Sequence, residues 1–291
     1  HGVETIEVNN GPRPVSLVKT AVIGIIGTAV AGAVNTPILV SSERDFAQFG
    51  VDTASSTILD ALTVIFKQKT TVCVVLNVLD PAIHSTAVLN EVVALGLDGT
   101  FKLANPAAAG VVVKNADGAI TYAATDYILN AGAGTGVRTA ASAIPAATLA
   151  APVNLSVSYS YADATKVTAA DIIGTITAAG ARTGLKAFRD SYSLFGFYPK
   201  ILISPVFASL NSVATELIAT ATSIRAVTYI DAPLGITPTQ AITGRGAAGT
   251  INFNTNSERV GLCYPYLKWF DPVQNAERLI PMSAFVAGAQ S

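Results

Sequence analysis

The sequence predicts an α/β (α+β) protein: a mixed, largely parallel sheet covered by helices, with a small inserted β domain that is sandwich-like or barrel-like. Along most of the chain, apolar runs typical of strands buried on both faces alternate with stretches of helical periodicity. Between residues 97 and 163 this alternation stops, and the chain becomes rich in Gly, Ala, Thr and Tyr. A length of 291 residues is sufficient for a core domain with such an insertion.

The first apolar run, TAVIGIIGTAVAGAV at residues 20–34, has three candidate structures. They are a phosphate-binding loop, a membrane span, and a buried strand followed by a turn. It lacks the lysine that follows the last glycine of a phosphate-binding loop, and Gly24 and Gly27 lack the GxGxxG spacing. The uncharged stretch is long enough to span a bilayer, but glycines, an asparagine and a proline interrupt it. Its β-branched residues favour a buried strand, so we predict a strand at 16–27 and a short one at 37–41.

Two helices and another strand are predicted next. The motif SSERDFAQFG predicts a short helix that begins after Ser42 and ends at Gly50. A longer helix is predicted where five apolar side chains share one face at helical spacing, namely Ile58, Leu59, Leu62, Ile65 and Phe66. The run TVCVVLNV, residues 71–78, is typical of a strand buried on both faces.

Two patterns within 97–163 indicate β structure. Asp117 and Gly118 lie between two β-prone runs, which is a strong hairpin signal. The motif VNLSVSYSY, residues 153–161, places apolar or aromatic side chains at every second position, the period of a half-buried strand. We therefore predict that this segment forms an inserted β domain.

The α/β pattern resumes after residue 163. Thr168 and Asp171 have the spacing of a capping box at the start of a helix. PKILISP and IRAVTYIDAP predict strands, VFASLNSVATELIATATS and TPTQAITGRG predict helices, and RVGLCYPYLKWFD predicts one long strand or a hairpin. The predicted units are an extended N-terminal arm (1–14), a discontinuous core domain (15–96 plus 164–291) and the inserted β domain (97–163).

Composition argues against several function classes. The chain has 18 Lys and Arg against 19 Asp and Glu, so no basic excess favours direct binding of nucleic acid. Only 13% of its residues are charged, which favours association with further copies. Cys73 and Cys263 lie in apolar runs without CxxC spacing and are predicted to be reduced core thiols. We expect no cofactor and no bound metal, and since His1 is not Met we expect it not to be the native first residue.

Catalytic chemistry has one weak candidate. His84 follows a predicted strand, where α/β enzymes place catalytic groups, and Asp80 and Ser85 lie near it in the sequence. No GxSxG elbow, HExxH motif or calcium loop accompanies it. An α/β enzyme with an inserted β domain and a site near these residues is therefore the alternative to a non-enzymatic role. A second hypothesis is an anion site in the loop Gly244–Gly249, with Arg245.

Two segments of the second half carry a family resemblance. GARTGLKAFRDSYSLFGFYPKILISPVF combines a Gly-Ala-x-x-Gly-Leu helix, an Asp and a Pro-Lys strand that ends in Pro. LKWFDPVQNAERLIPMSAFVAG adds a Trp-x-Asp-Pro turn and a Pro-x-Ser-Ala-x-x-Ala-Gly segment. In both segments the chain resembles contractile tail sheath proteins of bacteriophages and pyocin-like injection systems. The matching positions are Gly180, Thr183, Gly184, Leu185, Asp190, Pro199, Lys200, Pro205, Trp269, Asp271, Pro272, Pro281, Ser283, Ala284, Ala287 and Gly288.

The first half resembles the same family. HGV, GPRPV and TAVIGIIGTA are similar to the sheath N-terminus, PILVSSERDFAQFG to its first strand–helix unit, and the inserted segment to the β domain that many phage sheaths carry. The family continues into a C-terminal domain that contacts the inner tube and receives the arms of neighbours. Because the chain stops at Ser291, we expect it to be a fragment that lacks this domain.

The resemblance implies a structural subunit, not an enzyme. Such a subunit polymerises as stacked rings around an inner tube and contracts to drive the tube through a target envelope during genome ejection. The implied partners are further sheath subunits and, through the missing C-terminal region, the inner tail tube protein and the baseplate, with no direct nucleic acid and no membrane insertion. The implied location is the virion tail, or another contractile particle, assembled in the bacterial host cytoplasm. Another self-assembling shell protein is a further alternative.

Overall fold

The computed structural model describes residues 21–53, 56–245, 253, 255, 257–271 and 275–291. Its strands are β1 Ile23–Gly27, β2 Ile38–Val40, β3 Cys73–Asn77, β4 Ser85–Ala94, β5 Thr100–Lys102, β6 Ala108–Asn115, β7 Tyr127–Asn130, β8 Thr135–Arg138, β9 Asn154–Ala162, β10 Ile201–Ile203, β11 Val227–Asp231, β12 Val260–Cys263, β13 Leu267–Asp271 and β14 Ala276–Ile280. Its α-helices are α1 Thr57–Gln68, α2 Ala169–Ile173, α3 Ser191–Phe195, α4 Asn211–Ile224, α5 Pro238–Thr243 and α6 Met282–Gln290. Four 3₁₀ helices span Glu43–Phe49, Ala164–Lys166, Gly184–Asp190 and Phe207–Ser209 of the described chain.

The core is a six-stranded sheet with the order β12-β11-β10-β1-β3-β2. Neighbouring strands from β12 to β3 run parallel, and β2 pairs antiparallel with β3 at one edge. This arrangement confirms the mixed, largely parallel sheet that the apolar runs predict. The strand expected at 16–27 is present from Ile23, and its first residues, 16–20, lie outside the described part of the chain.

Helices cover both faces of this sheet. On one face Ile23 and Ile25 of β1 pack with apolar residues of α1 and α6, and on the other Ile26 packs with α4 and Phe188. All five residues of β1 and of β3 are buried, as expected for strands between two helical layers. The first apolar run is therefore a core strand followed by a turn, and within the described residues no helix is long and apolar enough to cross a membrane.

The helices that capping residues and apolar spacing predict lie where they are expected. The first of them, however, is a 3₁₀ helix, and α2 is shorter than predicted. The segment after Ser42 is a 3₁₀ helix with a Ser42–Asp45 capping box, and it ends at Gly50, whose φ is +80°. The five apolar residues predicted to share a face of the longer helix are all buried in α1. The predicted Thr168–Asp171 capping box opens α2, which stops after five residues at Gly174 because the chain there turns with a φ of +70°.

The segment 259–271 is neither one strand nor a hairpin, so that prediction is wrong. It forms β12, which extends the core sheet parallel to β11, and β13, which pairs antiparallel with β14 in a separate hairpin. Pro265 lies between them and has no N–H group to donate to a sheet, so it separates the two strands.

The inserted unit consists of two three-stranded antiparallel sheets, β4-β9-β6 and β5-β8-β7. The two sheets share one apolar cluster. It includes Phe101 of β5 and the adjacent Leu103, together with Leu155 and Val157 of β9. The predicted turn at Gly118 is present, with a φ of +76°. The first strand, β4, begins at Ser85 and therefore lies upstream of the boundary expected at residue 97.

Candidate functional site

A group of partly buried charges joins the hairpin β13–β14 to the core. Arg278 of β14 donates from Nη2 to Asp60 Oδ2 at 2.6 Å, and from Nη1 to Asp271 Oδ2 at 3.1 Å and Asp52 Oδ2 at 3.2 Å. We call these four residues the arginine cluster. They line a cavity of about 260 Å³ whose other walls include Phe46 and Trp269.

The pairing of the hairpin places these groups on its inner face. Trp269 lies opposite Arg278, and Lys268 and Glu277 alternate with them and form an exposed ion pair at 3.1 Å on the outer face. Asp60 lies in the first turns of α1, whose apolar face is buried in the core. The cluster therefore connects the inner face of the hairpin to the polar side of α1.

Burial and excess negative charge perturb the carboxyl groups. Burial raises the pKa of Asp60 to about 7, although the neighbouring Arg278 guanidinium works to lower it. Burial also raises the pKa of Asp52, against the same guanidinium. Three carboxyl groups share one guanidinium here, so a fully ionised cluster carries excess negative charge in a partly buried site.

A second buried carboxyl group fixes α6. Asp231, at the end of β11, accepts hydrogen bonds from the backbone N–H of Ser283 at 2.8 Å and from its hydroxyl at 2.5 Å. Burial raises the pKa of Asp231 to about 6. Further along the helix, a Cβ atom on Gly288 would lie 3.2 Å from the Ile65 Cα, so this glycine lets α6 pack closely on α1.

Both ring nitrogens of His84 have partners, which argues against the use of this histidine as a general base. Nδ1 accepts a hydrogen bond from the backbone N–H of Asp80 at 3.1 Å, and Nε2 lies 3.5 Å from Asp171 Oδ2. The Asp80 carboxylate instead accepts from the N–H of Ala82. Burial works to raise the pKa of Asp171, but hydrogen bonds from Thr168 and the His84 ring outweigh it and lower that pKa.

His84 belongs to the neck of the inserted unit, the place where the chain leaves and re-enters the core. Ser85 pairs with Ala162 there, and the backbone N–H of Asp163 donates to the His84 carbonyl at 2.8 Å. Thr86 donates from its hydroxyl to Asp163 Oδ2 at 2.6 Å. The residues named as a catalytic candidate are thus hydrogen-bonded parts of a structural junction.

The remaining predicted site residues are accounted for as follows. Cys73 and Cys263 are buried free thiols, and burial raises the pKa of each to about 12. Most of the loop Gly244–Gly249 lies outside the described residues, so the anion-site hypothesis stays a prediction. Where the structure describes the chain, no group of three or more His, Cys, Asp or Glu residues is arranged to hold a metal ion.

The sequence predictions missed the arginine cluster and the Asp231–Ser283 contact. Asp271 and Ser283 were named only through the family resemblance, and Arg278, Asp60 and Asp52 were not named. The one sequence signal was an arginine on the same face of a strand as an apolar residue, at a position where alternation predicts an inward side chain.

Comparisons with known proteins show similarity to one family. Residues 174–291 match the model of the phage tail sheath protein central domain. The chain is 51% identical, over 293 aligned residues, to the tail sheath protein of Burkholderia phage BcepMu, covering 100% of this chain and 61% of that protein. The chain is similar in sequence to phage tail sheath proteins. The match to the central domain contains the hairpin β13–β14, α6 and the residues Arg278, Asp231 and Ser283.

Two further similarities extend the comparison. A putative prophage major tail sheath protein of Pseudomonas aeruginosa is 32% identical over 136 residues, which is 47% of this chain and 33% of that protein. The contracted helical sheath of the anti-feeding prophage, a cryo-electron microscopy structure, covers 99% of this chain and 51% of its own, with 13% identity and a TM-score of 0.43. The chain spans about 61% of the length of the BcepMu sheath protein.

Proposed function

We propose that this chain is part of the structural subunit of a contractile tail sheath. In this proposal the subunits polymerise as stacked rings around an inner tube and shorten to drive that tube through a target envelope. The observation that carries the proposal is the 51% identity, along the whole chain, to a protein named as a phage tail sheath protein.

The physical basis proposed for contraction is a polymer with two discrete packings. Rigid subunits keep their internal fold while the interfaces between them change from one arrangement to another. The buried parallel sheet is suited to the rigid part, because its strands are packed between helices on both faces. The low charge content, 13%, supports extensive contacts between copies.

The N-terminal arm, residues 1–14, lies outside the described residues and stays a prediction. We propose that it adds a strand to a neighbouring subunit and keeps subunits connected while they slide. Deleting residues 1–14 from the full-length protein should abolish ordered tubes, as judged by electron microscopy. Tubes of normal length and order from the deletion variant would overturn this role.

We further propose that the inserted β unit lies on the outside of the particle and is dispensable for assembly. The neck supports this, since the chain leaves and returns through two paired residues, Ser85 and Ala162, so the unit can be removed without separating the core ends. Replacing residues 86–161 by a short Gly-Ser linker in the full-length protein should leave tube formation intact. Loss of tubes, with a folded core by circular dichroism, would assign the unit a structural role.

The proposed partners are other sheath subunits, the inner tail tube protein and the baseplate, the last two through regions beyond residue 291. The proposed location is the virion tail or a related contractile particle, assembled in the cytoplasm of the bacterial host. Neither a catalytic role nor direct contact with nucleic acid is part of this proposal. Both ring nitrogens of His84 have partners, which supports leaving out a catalytic role. The balance of 18 basic and 19 acidic residues supports leaving out direct contact with nucleic acid.

Negative-stain electron microscopy of the full-length protein, expressed alone and then together with a tube protein, tests the proposed function. Hollow, striated tubes of uniform diameter are the expected result. Closed shells would favour another self-assembling protein. Dispersed particles in both preparations would overturn the proposal, and ligand binding that depends on His84 would then favour the enzyme alternative.

A further inference from the structure

The arginine cluster holds together two parts of the molecule that have separate backbone hydrogen-bond networks. β13 and β14 pair only with each other among the described strands, and they are not hydrogen-bonded to the core sheet. The hairpin contributes Arg278 and Asp271 to the cluster, and the body contributes Asp52 and Asp60. When all four groups are ionised, Arg278 and Asp271 of the hairpin have no net charge together, whereas Asp52 and Asp60 carry two negative charges. The attraction between the hairpin and the rest of the molecule therefore depends on the protonation of these carboxyl groups.

Among the described residues that line the cavity of the cluster, no second cation balances this excess. Lys268 and Glu277 pair with each other on the opposite, exposed face of the hairpin. Asp45 of the adjacent 3₁₀ helix is turned toward the backbone of Ser41 and Ser42, and α6 has no ionisable side chain. Lys67 lies at the other end of α1 and is exposed. Arg44 of the same 3₁₀ helix does not line the cavity, so among the described lining residues Arg278 is the cation that faces the three carboxyl groups.

A surplus of negative charge in a partly buried site is relieved by taking up a proton. The side chains of the cluster are 8% to 28% exposed, so solvent screens their repulsion only in part. We propose that the arginine cluster is a pH-sensitive lock: the hairpin β13–β14 is held firmly on α1 while the cluster retains one proton, and it loosens when that proton is lost.

The direction of the pH effect follows from linkage. Burial raises the pKa of Asp60 from 3.8 to about 7, so the folded protein binds this proton more tightly than the unfolded chain does. Stability that comes from a raised carboxyl pKa is greatest at low pH and is lost as the pH rises through the folded value. The hairpin should therefore be docked more firmly in mildly acidic solution than above neutral pH. This inference does not depend on the proposed function.

The sequence provides a built-in probe, because Trp269 is its only tryptophan. Trp269 lines the cavity of the cluster and packs edge-on against Phe285, with 6.3 Å between ring centroids. Its fluorescence should be recorded for the native chain from about pH 5 to about pH 9. We expect a reversible one-proton transition with a midpoint near the Asp60 pKa of about 7.

Two variants test whether the transition in Trp269 fluorescence comes from Asp60. Asp60→Asn is a neutral isostere whose amide oxygen still accepts from Arg278, and it should keep the low-pH spectrum across the whole range. Glu277→Gln removes a carboxylate from the outer face of the same hairpin and should leave the transition unchanged. A flat native profile overturns the proposal, and so does a transition that Asp60→Asn leaves unchanged, which would assign the titration to another group such as Asp231.

Hydrogen exchange gives a readout that needs no variant. After correction for the intrinsic pH dependence of exchange, amides of residues 267–271 and 276–280 in the native chain should be roughly tenfold less protected at about pH 8.5 than at about pH 6. Amides of the central strand β1 should change less over the same interval. Equal protection of the hairpin at the two pH values would overturn the lock.

Discussion

The core sheet and the inserted unit bury their side chains in different ways. All five residues of β1 and all five of β3 are buried, whereas Val93 is the one buried residue among the ten of β4. In β9 the side chains of Leu155, Val157 and Tyr159 are buried and those of Ser158 and Ser160 are partly exposed. One sheet lies between two helical layers, and the other sheets each have one solvated face.

This difference shows where the molecule tolerates change. A side chain between two helical layers has no route to solvent, so a cavity there is not refilled without moving its neighbours. A side chain on the solvated face of the inserted unit loses little when it is shortened. The following variants test that contrast, from the largest expected effect to the smallest.

The same substitution in the two regions gives the most direct test. Leu62→Ala, in the fully buried face of α1, should lower the free energy of unfolding by ~3 kcal/mol in urea titrations. Leu89→Ala, in β4, should change it by less than ~0.5 kcal/mol, since that side chain is 75% exposed. Equal losses would show that the exposed face of the inserted unit is covered by something else.

The two faces of the hairpin β13–β14 allow a second comparison, between a partly buried charge and an exposed one. Arg278→Ala removes the cation that three carboxylates share and should lower the free energy of unfolding by ~2 kcal/mol at neutral pH. The loss should shrink in mildly acid solution, because Asp60, whose pKa is raised to about 7, is then protonated and the cluster carries less negative charge. Lys268→Ala, 74% exposed on the outer face of the same hairpin, is the matched control and should change stability by less than ~0.5 kcal/mol. A pH-independent loss in Arg278→Ala would contradict the electrostatic explanation.

The neck tests how tightly the two regions are coupled. His84→Leu removes the acceptor for the Asp80 N–H and the partner of Asp171, and should destabilise the protein by ~1–2 kcal/mol. Ser85→Ala keeps the backbone pairing with Ala162 and should be nearly neutral in thermal unfolding. A Ser85→Ala variant that abolished a ligand-binding signal would instead revive the enzyme alternative.

The smallest effect is expected in a turn of the inserted unit. Gly118 has a φ of +76° and open space around its Cβ position, so Gly118→Ala should cost ~1 kcal/mol through backbone strain alone. Gly132 has no positive φ, and a Cβ atom there meets only the Asn130 side chain at 3.6 Å. Gly132→Ala is the control and should be neutral or slightly stabilising in urea titrations. Equal costs would place the strain elsewhere.

Local patterns predicted the local elements well. The buried strand β3, the apolar face of α1, the start of a helix after Ser42, the capping box at Thr168 and the turn at Gly118 were all confirmed. Each of these depends on residues that are close in the sequence. The segment 259–271 was assigned wrongly because its two strands pair with different partners, and the identity of a strand's partner is not encoded in the strand itself.

The contacts that matter most for the candidate site span long sequence distances. Arg278 meets Asp60 across 218 residues and Asp52 across 226, and Asp231 meets Ser283 across 52. No periodicity or spacing rule links such positions. Their pKa shifts also depend on burial, which arises only after the hairpin and α6 have packed on α1.

The sequence by itself determined the α/β class, five of the six core-sheet strands, the helices α1, α4 and α5, the nature of the first apolar run and the family resemblance. It could do so because hydrophobic period, capping residues and turn glycines act over a few residues. Only the tertiary structure decided that His84 belongs to a junction, that β4 is part of the inserted unit, and that Arg278 gathers three carboxyl groups. Those facts depend on which surfaces are removed from water together, and that is a property of the packed chain as a whole.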